Sequence, residues 1–212
     1  MYLVRPPYLL KKFYPALLWR VNTREKEIYL SFDDGPHPEI TPWVLDQLRA
    51  YEAKAIFFCV GDNVQRYPEI YTRILQEGHR CGNHTQNHLN GWTSDSRAYL
   101  RNITLCSSLV KSPFFRPPYG RMKKSQAKLI TKNYTVVMWD VLSGDFDRNT
   151  PKEKCLENTL RFSREGSIVV FHDSEKAKEN LYYTLPRYLE AMKSKGYVFK
   201  IVPEKKNRLK SE

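Results

Sequence analysis

The chain alternates short apolar runs rich in β-formers with longer amphipathic stretches, and that rhythm most constrains what it can fold into. Strands are expected at 27–33, 54–60, 79–83, 113–116, 134–139, 167–172 and 197–202, with helices at 40–52, 67–78, 94–110, 123–132, 151–164 and 178–195. Thr41 before Pro42 and Thr150 before Pro151 read as helix caps, and Gly78 and Gly196 as helix ends. Seven strands with six intervening helices predict an α/β fold, a distorted (β/α) barrel of about seven strands rather than a layered sandwich. Residues 27–202 would form the barrel, 1–26 a basic, aromatic strap packed against it, and 203–212 a charged, frayed tail.

Such folds place their chemistry just past the C-terminal ends of strands, and the polar oddities gather there. Asp33-Asp34, His84 and His88, Arg116, Asp140 and Asp145, and His172-Asp173 each follow an expected strand. Adjacent carboxylates raise one another's pKa unless cations or donors intervene. On its own, Asp33-Asp34-Gly35-Pro36 reads equally well as a turn. His84 and His88 lie at i and i+4, pointing the same way in a helix or tight turn. Two imidazoles and one carboxylate make a three-ligand divalent-metal site. One aspartate can then ligate while the other takes a proton from a water that the cation acidifies. His172 suits a complementary acid, Arg116 can grip a carboxylate, and the stiff Pro117-Pro118 turn frees the Tyr119 N–H for an oxyanion. His37 and His79 read as structural.

Bulk properties narrow the class. With 212 residues the chain can bury one large core. The 35 Lys+Arg against 23 Asp+Glu give +12, but the basic residues are scattered and no nucleic-acid motif accompanies them. Cys59, Cys81, Cys106 and Cys155 form no C-x-x-C pair; Cys59 reads as a buried small hydrophobe, and a reducing compartment is favoured. Residues 1–22 interleave basic and aromatic side chains, open to weak membrane-surface contact. They hold neither a spanning stretch nor a signal-like apolar region, so a cytoplasmic monomer is expected.

Five segments resemble the motifs of polysaccharide deacetylases, carbohydrate esterase family 4: Ser31-Phe32-Asp33-Asp34-Gly35-Pro36, His84-Thr85-Gln86-Asn87-His88, Arg116-Pro117-Pro118-Tyr119-Gly120, Trp139 to Phe146 more loosely, and Val169-Val170-Phe171-His172-Asp173. The resemblance implies one divalent metal, zinc first with Co, Ni, Fe or Mn as alternatives, held by Asp34, His84 and His88. It makes Asp33 the base, oriented by Arg116, and His172 the acid, oriented by Asp145, although Asp140 is a rival for that last role. Tyr119 would bind the oxyanion, with Pro117, Val170 and Phe146 lining the substrate. Val170 stands where the family usually has Leu, and Phe146 where many members have Trp. The implied activity is metal-dependent removal of N-acetyl groups from a chitooligosaccharide- or peptidoglycan-like saccharide. Alternatives are an O-acetyl ester or small cyclic amide hydrolase using the same groups, a non-catalytic saccharide-binding barrel, or a peripheral membrane protein.

Overall fold

The computed structural model describes residues 2–204. Eight strands form one sheet: β1 Glu27–Asp33, β2 Ala55–Cys59, β3 Arg80–Asn83, β4 Phe114–Phe115, β5 Thr135–Val136, β6 Val141–Leu142, β7 Ile168–His172 and β8 Val198–Phe199. Seven run parallel in the order β5-β4-β3-β2-β1-β7-β6, and β8 pairs the start of β1 through Glu27↔Val198. The helices are α1 Tyr8–Phe13, α2 Ile40–Ala50, α3 Gly61–Arg66, α4 Pro68–Gln76, α5 Ser96–Leu109, α6 Lys124–Ile130, α7 Lys152–Phe162 and α8 Lys178–Ser194. The sheet curls into a half-barrel, the distorted barrel expected.

Strand alternation sorts β1 into two faces. Ile28, Leu30 and Phe32 join the large core against the helices. Tyr29 joins Ile56, Phe58, Phe114, Val137 and Ile168 in the barrel interior. By the same period of two, Ser31 and Asp33 follow Tyr29 on the inner face, which carries Asp33 to the open rim.

The strap spans the gap between β5 and β7. Leu18 takes a hydrogen bond from Met138 N–H (2.7 Å) and gives one to Val136 O (2.8 Å), and Val21 N–H donates to Gly166 O (2.9 Å). Leu17 and Trp19 are buried there. Packing of the strap's Tyr, Phe and Leu side chains holds only in part, because Tyr8, Leu9 and Phe13 of α1 face solvent.

Several local expectations are corrected. Thr41 does not cap α2; its hydroxyl accepts from His37 N–H (2.8 Å) and bonds Asp173 (2.5 Å), while His37 Nδ1 accepts from Glu39 and Ile40 N–H. Thr150 does not cap α7 either, since its hydroxyl pairs with Tyr2 (2.8 Å) and Asp147 (3.3 Å). The helix expected at 67–78 is preceded by a separate one, α3, with Pro68 starting the next. Gly78 and Gly196 do end helices, at φ of 76° and 79°. His79 is structural as expected: buried, with Nδ1 accepting from Ala55 N–H. All four cysteines are buried free thiols. Pro203 and Glu204 of the expected tail are described, Glu204 pairing with Arg80 at 2.8 Å; residues 205–212 lie outside the described residues.

Candidate active site

Two adjacent aspartates diverge because the backbone turns between them. Asp33 ends β1 in extended conformation, whereas Asp34 has φ 83°, a left-handed conformation that Asp tolerates better than most side chains. Gly35 then fits where no side chain can, since a Cβ there would stand 2.1 Å from Asp173 Oδ2. Asn63 holds the turn from the other side, donating to Asp34 O at 2.7 Å.

His84 and His88 come together in a loop, not a helix. Thr85 and His88 both have positive φ, 67° and 58°, and Asn83 pins the loop by accepting from Thr85 N–H (2.9 Å) and donating to Ile103 O (2.9 Å). Among the described residues, four of the five non-glycine residues at positive φ (Asp34, Thr85, His88 and Tyr119) belong to this rim. Strain concentrated this way marks a site whose geometry the surrounding fold imposes.

Asp34, His84 and His88 offer one ligand atom each, all within 4.8 Å of one another. Asp34 Oδ1 lies 3.7 Å from His84 Nε2 and 3.1 Å from His88 Nε2. Ligands roughly 2.0–2.2 Å from a zinc ion stand at most about 4.4 Å apart, and both spacings from Asp34 fall inside that limit. His84 Nδ1 pairs with Arg116 O at 2.8 Å, which commits that nitrogen to the proton and leaves Nε2 its lone pair. Burial holds the His84 pKa down at about 4, keeping the ring a neutral ligand. Burial opposes ionisation of Asp34, but the His88 hydrogen bond and the charges of His172, His88 and His84 outweigh it, placing its carboxyl well below the usual range.

Arg116 is 1% exposed and bonded through all three guanidinium nitrogens. It donates to Asp33 Oδ1 (2.6 Å), Ser31 Oγ (2.8 Å), Val137 O (3.0 Å) and Met138 O (2.9 Å), and lies 4.2 Å over the Phe58 ring. One oxygen of Asp33 is thereby fixed in place. Directly across the sheet from Asp33 stands His172, its register partner in β7.

Asp145, not Asp140, is the aspartate that contacts His172. Its Oδ1 meets His172 Nδ1 at 2.8 Å and its Oδ2 accepts the His172 N–H at 2.9 Å. Burial works against the charged ring, yet Asp145, Asp34 and Asp33 raise the His172 pKa to about 9. Asp140 is used elsewhere: completely buried, it pairs with Lys11 and with Ser167 Oγ (2.9 Å), and lies near Arg164 (3.5 Å) and Arg5 (4.0 Å).

The surrounding walls also gather here. The Phe146 ring stands edge-on to His172 at 4.8 Å, and the Tyr119 ring, 60% exposed, stands against His88 at 4.6 Å. Tyr119 has φ 59°; Gly120 N–H bonds Pro117 O and Arg121 N–H bonds Pro118 O, and neither bond uses the Tyr119 N–H. Pro117 is buried beneath that turn. Val170, two residues before His172, lies below it on the same strand face.

Asp173 is a buried carboxyl at the site that sequence reasoning left without a task. It accepts from Gly35 N–H at 3.1 Å and pairs with Thr41, so it anchors the turn carrying Asp34. Burial pushes its pKa up to about 8. Its signal was its place beside His172 at a strand end.

Comparison with known proteins agrees with this geometry. A family model described as polysaccharide deacetylase matches residues 20–138. A peptidoglycan-N-acetylglucosamine deacetylase of Bacillus cereus is 36% identical over 193 residues, covering 88% of this chain and 91% of that protein. A chitooligosaccharide deacetylase of Azorhizobium caulinodans is 31% identical over 73% of this chain and 77% of its own. The crystal structure of the Bc1960 peptidoglycan N-acetylglucosamine deacetylase superposes with a TM-score of 0.82 at 31% identity, covering 93% of this chain and 95% of that one. Sequence match, near-complete overlap of fold and the strand-end ligand cluster converge, and the chain belongs to the polysaccharide deacetylase family, the carbohydrate esterases of family 4.

Proposed function

We propose that the protein removes the acetyl group from N-acetylglucosamine units of peptidoglycan or of a chitooligosaccharide-like chain. The observation that carries this reading is the pairing, across neighbouring strands, of a guanidinium-held Asp33 with an Asp145-held His172 beside three metal donors. Peptidoglycan is favoured because the Bacillus cereus peptidoglycan deacetylase matches 88% of this chain against 73% for the chitooligosaccharide deacetylase, and because a net charge of +12 suits a carboxylate-bearing polymer.

Asp34, His84 and His88 would hold one divalent cation, which we take to be zinc. Bound there, it would supply Lewis-acid polarisation of the acetyl carbonyl and lower the pKa of a neighbouring water. Asp33, aimed by Arg116, accepts the proton of that water as it attacks the carbonyl carbon. The Tyr119 N–H donates to the oxygen as negative charge develops. His172 carries a proton at neutral pH and delivers it to the sugar nitrogen, so the amine leaves neutral. Asp145 fixes the imidazole and balances its charge but does not itself transfer a proton. Val170 and Phe146 shape the space for the acetyl methyl and the sugar ring.

Acetate release from peptidoglycan fragments and chitooligosaccharides, with and without added zinc or cobalt, tests the reading. Activity is expected only with metal; activity that survived complete chelation or Asp33→Asn would overturn it.

No helix among the described residues is long and apolar enough to cross a membrane. We also propose weak contact with an anionic lipid surface through α1, supported by exposed Tyr8, Leu9 and Phe13 beside Lys12. Co-sedimentation with anionic vesicles that is lost in Tyr8→Ser/Phe13→Ser is the expected result, and no binding by the parent protein contradicts it.

A further inference from the structure

The strap ends on the wall of the proposed acid. The Tyr2 ring packs against Phe146 at 4.9 Å, and Phe146 packs against His172 at 4.8 Å. The Tyr2 hydroxyl is tied to Thr150 Oγ1 at 2.8 Å. Space for it exists because residue 144 is glycine at φ 84°: a Cβ there would stand 2.6 Å from the Tyr2 hydroxyl oxygen.

The segment that delivers Tyr2 is fastened along its length. Val4 O accepts from Leu142 N–H at 2.8 Å, and Leu3 O from Trp139 Nε1 at 3.2 Å. Lys11, farther along, closes on buried Asp140. Each partner lies between β5 and α7, in the stretch that also carries Asp145 and Phe146. The loop that orients the acid is therefore braced by residues at the other end of the chain, outside the segment matched by the family model.

We propose that Tyr2 is a positioning residue of the active site: by stacking on Phe146 it holds that ring as a fixed wall beside His172, and so sets the seat of the sugar that receives the proton. The inference rests on the deacetylase reading. Phe146 has the Lys176 ammonium 5.7 Å over its ring and the Tyr2 ring 4.9 Å from it, and Tyr2→Ala removes the second of these contacts. A wall free to swing lets the saccharide miss the short range over which proton delivery works.

Kinetics of acetate release by the zinc-loaded protein test this, using Tyr2→Ala, Tyr2→Phe, Phe146→Ala and the double variant Tyr2→Ala/Phe146→Ala. An aromatic pair of this kind corresponds to roughly a three- to tenfold loss in kcat/KM for Tyr2→Ala. Tyr2→Phe, which keeps the stack, should stay within about twofold, and the double variant should match Phe146→Ala alone. Leu3→Ala serves as a strap control and leaves kcat/KM unchanged, since the Leu3 side chain is exposed and only its carbonyl is used. Melting curves accompany each variant, and Tyr2→Leu replaces Tyr2→Ala should the latter not fold. Unchanged kcat/KM in Tyr2→Ala, or losses that multiply in the double variant, would overturn the proposal. A parent protein without metal-dependent deacetylation would instead overturn the functional reading.

Discussion

Asp33 and Asp140 are both buried carboxylates paired with a cation, yet one stands at the rim of the barrel and the other beneath the strap. Asp33 has one oxygen on Arg116 and looks toward His172 and the Asp34, His84, His88 cluster. Asp140 has both oxygens consumed, by Lys11 on one side and by Ser167 and Arg164 on the other. Burial and charge pairing are common to the two. What separates them is a spare acceptor at the open end of strands, next to groups that bind a metal or carry a proton. The first arrangement is the one proposed to perform chemistry, and the second fastens residues 5–11 to the barrel.

The contrast breaks most sharply under neutralisation. Asp33→Asn should lower kcat on an N-acetylated oligosaccharide by about 10²–10⁴-fold, the usual contribution of a positioned base, and should also lower the melting temperature, because it takes the carboxylate from buried Arg116. Asp140→Asn should cost stability alone. Losing charged hydrogen bonds at a buried site costs about 1.5–3 kcal/mol, several degrees in melting midpoint for a chain this size. Its kcat per folded molecule should stay near that of the parent. Equal kinetic damage from both would erase the distinction.

A smaller effect separates Asp145 from Asp140 through pH. Asp145 is the leading cause raising the His172 pKa to about 9, so the imidazolium persists below that pH and is lost as pH rises through it. The alkaline limb of kcat/KM should therefore fall near or below pH 9, lower where a cation on Asp34 cancels that carboxylate's share. Asp145→Asn should move the limb toward the ordinary histidine value, about 6.5, while Asp140→Asn should leave it in place. The same sign holds for stability: the His172–Asp145 pair contributes fully below about pH 6.5 and is lost through about pH 9.

The smallest expected change concerns the outer wall. Tyr119→Ala keeps the backbone N–H and removes the ring against His88, so it should raise KM a fewfold with kcat nearly constant. A large loss of kcat would mean that the side chain, not the N–H, meets the reacting carbonyl.

Much of this layout was legible in the sequence, for identifiable reasons. Strands such as Glu27–Asp33 and Ile168–His172 are apolar, β-rich and bounded by turn residues, so their ends, and the aspartates and histidine on them, could be placed within a residue. Val141–Leu142 could not, because two residues between Asp140 and Ser143 carry no periodicity. The choice between Asp140 and Asp145 was equally closed, since the partner that claims Asp140 is Lys11, 129 positions away. Thr41 looked like a cap because local rules favour it, but Asp173, 132 positions on, captures its hydroxyl. Contacts of that range are decided by how the sheet curls, and no local pattern encodes them.

The central claim is that neighbouring aspartates divide the labour, Asp34 holding the metal and Asp33 taking the proton. Bound zinc per chain, measured by elemental mass spectrometry alongside acetate release for the parent, Asp33→Asn and Asp34→Asn, tests it most directly. The account predicts about one zinc in the parent and in Asp33→Asn, little in Asp34→Asn, and acetate release in the parent alone. Equal zinc loss in both variants, or deacetylation by Asp33→Asn, would contradict it.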